Sequence, residues 1–152
     1  MFNICVRMLN NHAEAEDLLQ ECFSEAFANL SHFRFESSFG AWLKRIVINK
    51  CINHLKKRKA DLVYLDNLYH LDKETQEVEE PIAYDAKRIQ KAIESLPDGY
   101  RVIFSLYLLE GYDHAEISEI MGISESTSKS QFLRAKKKLK EILILEKNKL
   151  WT

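Results

Sequence analysis

Ser126, Thr127, Lys129, Ser130 and Arg134 fall within one stretch, SESTSKSQFLRAKKKLK, which offers hydroxyls and cations at helical spacing. On a helix laid in a major groove, such side chains reach base edges and phosphates. From Lys129 to Lys140 there are six bases and no acid. A second cluster has different chemistry. Phe33, Phe35, Phe39 and Trp42 precede a run bearing Arg45, Asn49, Lys50 and Asn53, with Asn49 and Asn53 one helical turn apart. Aromatic platforms, cations and amides together suit single-stranded nucleic acid, whose exposed bases stack and present their edges. The competing reading makes the basic runs solvated helix faces and puts the aromatics, Trp42 and Phe39 above all, in a core.

Other chemistries find little support. Cys51 and His54 are three apart, but His12, His32, His70 and His114 are scattered and complete no metal-ligand spacing. There is no Ser/His/Asp arrangement and no phosphate-binding loop. No catalytic residue, metal or cofactor is expected, and the chain is not read as an enzyme. Cys5, Cys22 and Cys51 form no CxxC pair and sit in apolar helical patterns, as buried free thiols of a reducing cytoplasm do. No apolar run is long enough to insert in a membrane and no signal peptide is apparent, so the expected address is the cytoplasm.

The elements that must position these residues are helical. Four Gly and two Pro in 152 residues leave little room for hairpins. Leu19, Phe23, Ala26, Phe27 and Leu30 give His12 to Leu30 an apolar side opposite Glu14, Asp17, Gln20, Glu21 and Glu25. A helix from Phe39 to about Lys59 carries the four-residue track Leu43, Val47, Cys51, Leu55. Periodicity lapses from Ala60 to Tyr84, where short turns around Leu65 to Leu71 are the most to expect, and resumes with Ile89, Ala92, Ile93 and Leu96 before Pro97. Tyr100 to Glu110 is the next helix, stopped at Gly111. Asp113 and Glu116 have capping-box spacing, Gly122 stands where the chain must turn, and Ser124 caps a long basic helix. A short helix, a glycine turn and a basic helix make a helix-turn-helix.

Charge follows the same divisions. Ala41 to Ala60 holds seven bases and no acid, whereas Asp61 to Asp85 holds eight acids against Lys73, although the whole chain is only −1. Two basic blocks separated by an acidic one read as two surfaces for a polyanion with a repelling linker between them.

The blocks AEDLLQECFSEAF, FRFESSFGAWLKRIVINKCINHLKKRK and IQKAIESLPDGYRVIFSLYLLEGYDHAEISEIMGISESTSKSQFLRAKKKLKEIL resemble, in order and spacing, a group IV RNA polymerase sigma factor. This is the extracytoplasmic-function class of the sigma-70 family. The resemblance covers about Asn3 to Lys59 and Ile89 to Leu143. It implies an all-α chain of two small helical domains joined by an acidic linker, the second a helix-turn-helix domain: region two over 1–59, linker 60–84, region four over 85–152. It further implies core RNA polymerase (clamp and beta flap) and promoter DNA as partners, with an anti-sigma factor a further candidate. Asp17, Gln20 and Glu21 match the clamp-binding helix. Asn49 matches a position contacting an extruded base of the minus-ten strand, with Trp42, Arg45 and Asn53 grouped beside it for the melted element. Lys129, Ser130, Leu133 and Arg134 match the helix that reads the minus-thirty-five element, where Ser126 and Thr127 also stand.

The chain departs from the family pattern at Ser128, usually β-branched and so expected to weaken the turn slightly, and at Gln131, usually Arg or His. It also starts about one helix late, so region two reads as truncated or Met1 as a misassigned start. The alternative is a helix-turn-helix regulator acting without core polymerase, which leaves WLKRIVINKCINHLKKRK unexplained.

Overall fold

The computed structural model of the protein describes residues 1–58 and 85–149, and within them the regular structure is entirely helical. The expected linker, with its turns around Leu65 to Leu71, lies outside the described residues. Helix α1, Phe2–Leu9, ends at Asn10 in the left-handed conformation (φ 54°). Asn11 then caps α2, His12–Ala28, by accepting from the Glu14 amide. A short 3-10 turn, Leu30–His32, leads through an aromatic loop to α3, Phe39–Arg58, whose first turn is capped by the Ser38 hydroxyl. Asp85 caps α4, Ala86–Glu94, and Pro97 begins α5, Asp98–Phe104. Helix α5 widens into a π-helical turn over Ser105–Leu109 and stops before Gly111 (φ 78°). Helices α6, His114–Met121, and α7, Glu125–Lys149, complete the chain.

The four-residue track of α3 is buried as the pattern predicts: Leu43, Val47, Cys51 and Leu55 all face the core. The apolar side expected of α2 packs only in part: Ala26 is buried and Leu19 lies against the core. Ala15, Leu18, Cys22 and Ala26 are buried, whereas Phe23, Phe27 and Leu30 are exposed, Phe27 by 67%. The small residues let α1 and α3 approach α2 closely, and close approach multiplies dispersion contacts that bulky rings would hold apart.

Two helical units are present, α1–α3 and α4–α7, but they are not separate bodies. Val102, Ile103 and Leu106 from α5 and its π turn, with Ile117 of α6, complete the same apolar core as Met8, Leu9, Val47, Ile48 and Leu55. A smaller core, Leu96, Phe104 and Ala135, binds α7 to its own unit. Polar groups close the seam. Arg101 of α5, only 2% exposed, donates from Nε to the Arg7 carbonyl (3.1 Å), from Nη2 to the Met8 carbonyl (3.3 Å), from Nη1 to the Leu96 carbonyl (2.7 Å), and from Nη2 to Asp98 (2.6 Å). Asp98 also receives Arg58 of α3 at 3.1 Å. Glu110 pairs with Arg7 and with Lys44, the latter at 2.7 Å.

Removing Arg101 takes from the buried Asp98 its 2.6 Å partner and uncaps α1. Arg101→Ala is therefore expected to lower the unfolding free energy by about 3–5 kcal/mol, read as a fall in urea midpoint. A loss within 0.5 kcal/mol, the range of surface substitutions, would refute the buried role.

Candidate nucleic-acid interface

On α3 the residues that remain outside are set by where its other faces are spent. Arg45, Asn49 and Asn53 are exposed and recur every four residues, so they form one stripe along the helix. Lys57 continues it, one turn further, and was not singled out from the sequence. Neither Asn49 nor Asn53 has a side-chain hydrogen bond among the described residues. Trp42 is half-buried at the start of the stripe and packs on Phe33 (ring centroids 5.2 Å) and Phe39 (5.7 Å). Phe33 in turn holds Phe35 at 4.7 Å. These aromatics are neither core nor free: Phe39 is 43% exposed, and Phe35, at φ 59° in the left-handed region, is 84% exposed. The loop presents rings at the surface next to amides and a guanidinium.

The basic block does less than its charge promises. Lys44 pairs with Glu110, Lys56 donates to the Met121 carbonyl at 3.2 Å, and Arg58 bridges Glu14 and Asp98. Lys50 turns toward α2, 2.9 Å from Glu25 and 3.6 Å from Glu21, and its hydrogen bond to Glu25 holds its pKa up. Of the six described bases on this helix, Lys44, Lys50 and Arg58 are thus paired with carboxylates, and Lys56 is turned onto a carbonyl. The reading of the block as one polyanion surface is corrected to a narrower stripe, with Arg45 and Lys57 as its cations.

Along α2, Asp17, Gln20 and Glu21 are exposed and line one shallow groove with Ser24 and Lys50. Beside them Phe23 and Phe27 stack at 6.3 Å and stand out from the helix. Sequence reasoning assigned this pair to the core. The missed signal is that Ala15, Leu18 and Cys22 join Ala26 in a second stripe.

In the second unit the helix-turn-helix is built as its sequence signals require. Asp113 and Glu116 form the reciprocal capping box at 2.8 and 2.9 Å. Gly122 closes α6 at φ 70°. The Ser124 hydroxyl accepts the Thr127 amide at 3.1 Å and meets the hydroxyls of Ser126 and Thr127. Ser126 and Lys129 are exposed, Thr127, Ser130 and Arg134 half-buried, and Leu133 is 64% exposed amid them. Lys129 pairs with Glu125 at 2.6 Å and Ser130 donates to the Thr127 carbonyl. This face holds hydroxyls, a cation and an apolar side chain of the size that meets a thymine methyl.

Ser128 is not a weak point. It is fully buried, its hydroxyl 2.9 Å from Nδ1 of His114, and that imidazole stacks on Tyr107 (4.5 Å, 17°). The π turn aims Tyr107 at this joint, where it also meets Phe132 at 4.5 Å. The expected loosening is replaced by a polar lock between the two helices of the motif. Among the described residues no group of His, Cys, Asp and Glu could hold a metal, and no helix is long and apolar enough to cross a membrane.

Residues 1–60 match the family Sigma-70 region 2, and residues 86–139 match Sigma-70, region 4. The ECF RNA polymerase sigma factor SigW of Bacillus subtilis is 31% identical over 94% of this chain and 82% of its own length. The ECF RNA polymerase sigma factor SigM of the same organism is 30% identical over 93% of this chain and 87% of its own. The chain belongs to the ECF sigma factors of the sigma-70 family. Its architecture agrees: the solved sigma factor RpoE of Bartonella quintana, in complex with the anti-sigma factor NepR, is 25% identical. It superposes with a TM-score of 0.63 over 93% of this chain and 88% of that one.

Losing the Ser128 hydroxyl removes the partner of Nδ1 on the half-buried His114. Ser128→Ala should cost about 1–3 kcal/mol of stability, measurable by chemical unfolding, whereas Lys129→Ala should leave stability within about 0.5 kcal/mol. Equal stability of the two variants would remove the lock.

Proposed function

We propose that this sigma factor docks core RNA polymerase through α2, captures melted minus-ten bases on α3 and reads the minus-thirty-five duplex with α7. The observation that carries the reading is the coexistence, on one body, of two exposed stripes of different chemistry. One joins aromatics and unpaired amides, and the other puts hydroxyls, cations and Leu133 on the second helix of a helix-turn-helix. Asp17, Gln20 and Glu21 around Phe23 and Phe27 give α2 the apolar centre and polar rim of a protein interface. The beta flap is the second polymerase contact by family resemblance, and the cytoplasm is where such a factor meets polymerase. An anti-sigma partner is supported by the solved relative's complex.

Reading both elements at once requires the two units to part. Elements centred about 25 base pairs apart are separated by about 85 Å at 3.4 Å per base pair. Helices α3 and α7, of 20 and 25 residues, span only about 30 and 37 Å. The 26 residues from 59 to 84 have a contour of at most about 90 Å, which matches the separation needed.

Two variants test the division of labour. Asn49→Ala removes a donor and an acceptor offered to an unpaired base edge. Promoter opening should fall about fivefold, the worth of roughly 1 kcal/mol, while polymerase binding is unchanged. Permanganate reactivity of thymines in the bubble reads this, and wild-type reactivity would make Asn49 structural. For the polymerase face, Asp17→Lys with Gln20→Ala spares the Glu21–Lys50 pair, which a reversal at Glu21 would disturb. Core-polymerase affinity should drop about tenfold or more, as expected for at least 1.4 kcal/mol, with helicity retained. Undiminished binding moves the interface off α2.

A further inference from the structure

The first turns of α7 do different work on their two sides. Ser126, Ser130 and Leu133 share the side that reads the duplex under the proposed function. Ser128 lies about 140–200° round the axis from them, at about 100° per residue, and is fully buried. Its hydroxyl shares a 2.9 Å hydrogen bond with Nδ1 of His114, the first residue of α6. The imidazole lies flat on Tyr107, with ring centroids 4.5 Å and planes 17° apart, and meets Phe132 of α7 edge-on at 5.7 Å. Tyr107 closes the set by meeting Phe132 at 4.5 Å. It projects from the π-helical turn at Ser105–Leu109, and such turns are rare and gather at functional sites. The side of α7 turned from DNA is thus held by two rings at Phe132 and by one directional bond at Ser128.

We propose that His114 is a positioning residue which, through Ser128, fixes the rotation of α7 about its own axis and so sets which base edges the helix reads. The proposal rests on the reading of α7 as the minus-thirty-five helix. Side-chain ends lie about 5–6 Å from a helix axis, so a turn of 10–15° displaces them by about 1–1.5 Å. Good N–H···O distances span only about 0.5 Å, and a reading helix turned that far loses its matched edges. Apolar packing is non-directional and leaves neighbouring rotations close in energy. A β-branched side chain, usual in the family at position 128, packs in that way, whereas a hydroxyl facing a ring nitrogen is satisfied at one alignment. The stack on Tyr107 fixes the plane of the imidazole, and the capping box at Asp113 fixes the backbone that carries it. A contact that only stabilised the motif would change the fraction of competent protein, which scales the affinity for every sequence alike. A contact that sets rotation changes the ratio of affinities between sequences.

The test uses core polymerase reconstituted with the full chain. The wild-type holoenzyme selects its preferred minus-thirty-five sequence from a library of random duplexes. The ratio of affinities for that sequence and for its single-base variants is then measured for each substitution. Ser128→Thr and Ser128→Val have the same shape and differ in the hydroxyl alone. The threonine variant should keep the wild-type ratio, and the valine variant should lower it about fivefold or more. His114→Phe keeps a ring on Tyr107, loses the nitrogen, and should lower the ratio likewise. Base preference at the minus-ten element should stay unchanged in all three. Since the ratio does not depend on the folded fraction, a destabilised variant still decides the matter. Wild-type ratios in Ser128→Val and His114→Phe, with overall affinity alone reduced, would overturn the positioning role. Equal losses in the threonine and valine variants, or a parallel loss of minus-ten preference, would overturn it too. The double variant Ser130→Ala with Leu133→Ala strips the reading side and should relax the preference by itself. If it does not, α7 is not the reader and the positioning role falls with that reading; if it does while Ser128→Val and His114→Phe match wild type, only the positioning role falls.

Discussion

A guanidinium stays charged at any pH the protein meets, so burying Arg101 obliges the fold to surround it with acceptors. It finds them in Asp98, in the Leu96 carbonyl, and in the Arg7 and Met8 carbonyls at the end of α1. Those last carbonyls have no helical partner and form the negative end of the α1 dipole, so the cation and the helix end satisfy each other. Helix α5 must therefore sit against the end of α1. Once it does, Val102, Ile103 and Leu106 are committed to the α1–α3 core, and Arg58, Lys44 and Glu110 meet across the seam. The outward stripes of α3 and α7 are what this arrangement leaves uncovered.

Much of this was legible because it is local. The caps at Asp113, Glu116 and Ser124, the turn at Gly122 and the track Leu43, Val47, Cys51, Leu55 depend on neighbours within a turn or two, and each stands where its spacing implies. The α2 face was misread at Phe23 and Phe27 because hydrophobicity alone ranks them above Ala15 and Cys22. Helix packing instead rewards close approach, which leaves the rings outside. Ser128 was misread for a related reason. Its partner, His114, lies fourteen positions away in a different helix, and no rule of spacing joins them.

Charge was the least legible quantity. Seven bases from Ala41 to Ala60 are a fact of composition, but their partners Glu110, Asp98 and the Met121 carbonyl come from 40 to 66 positions away. A count of like charges shows what potential a segment would have alone. It is silent on which of those charges the fold neutralises, since that depends on contacts that only the packed units create.

On the promoter-spanning reading, one basic helix serves two states. In the packed form Lys44, Lys56 and Arg58 hold the two units together and Arg45 and Lys57 alone extend the exposed stripe. The seam is polar at its edges and partly open to water: the Lys44 side chain is 26% exposed and that of Arg58 is 35%. Their carboxylate partners Glu110 and Asp98 are nearly covered, at 8% and 9%, until the units part and water reaches both sides, where such pairs contribute modestly. On the promoter-spanning reading, parting the units releases Lys44 and Lys56 from their acceptors, and Arg58 from Asp98 though not from Glu14, at the moment when a phosphate backbone is at hand. The bases that stabilise the closed arrangement then become the counter-charges of DNA, and what the seam loses in ion pairs is returned on the nucleic acid. The apolar contacts of Val102, Ile103 and Leu106 have no such substitute. Burial of side chains like these is worth about 1.5–3 kcal/mol each, so the apolar part of the seam, and not its ion pairs, sets how hard the two units are to separate.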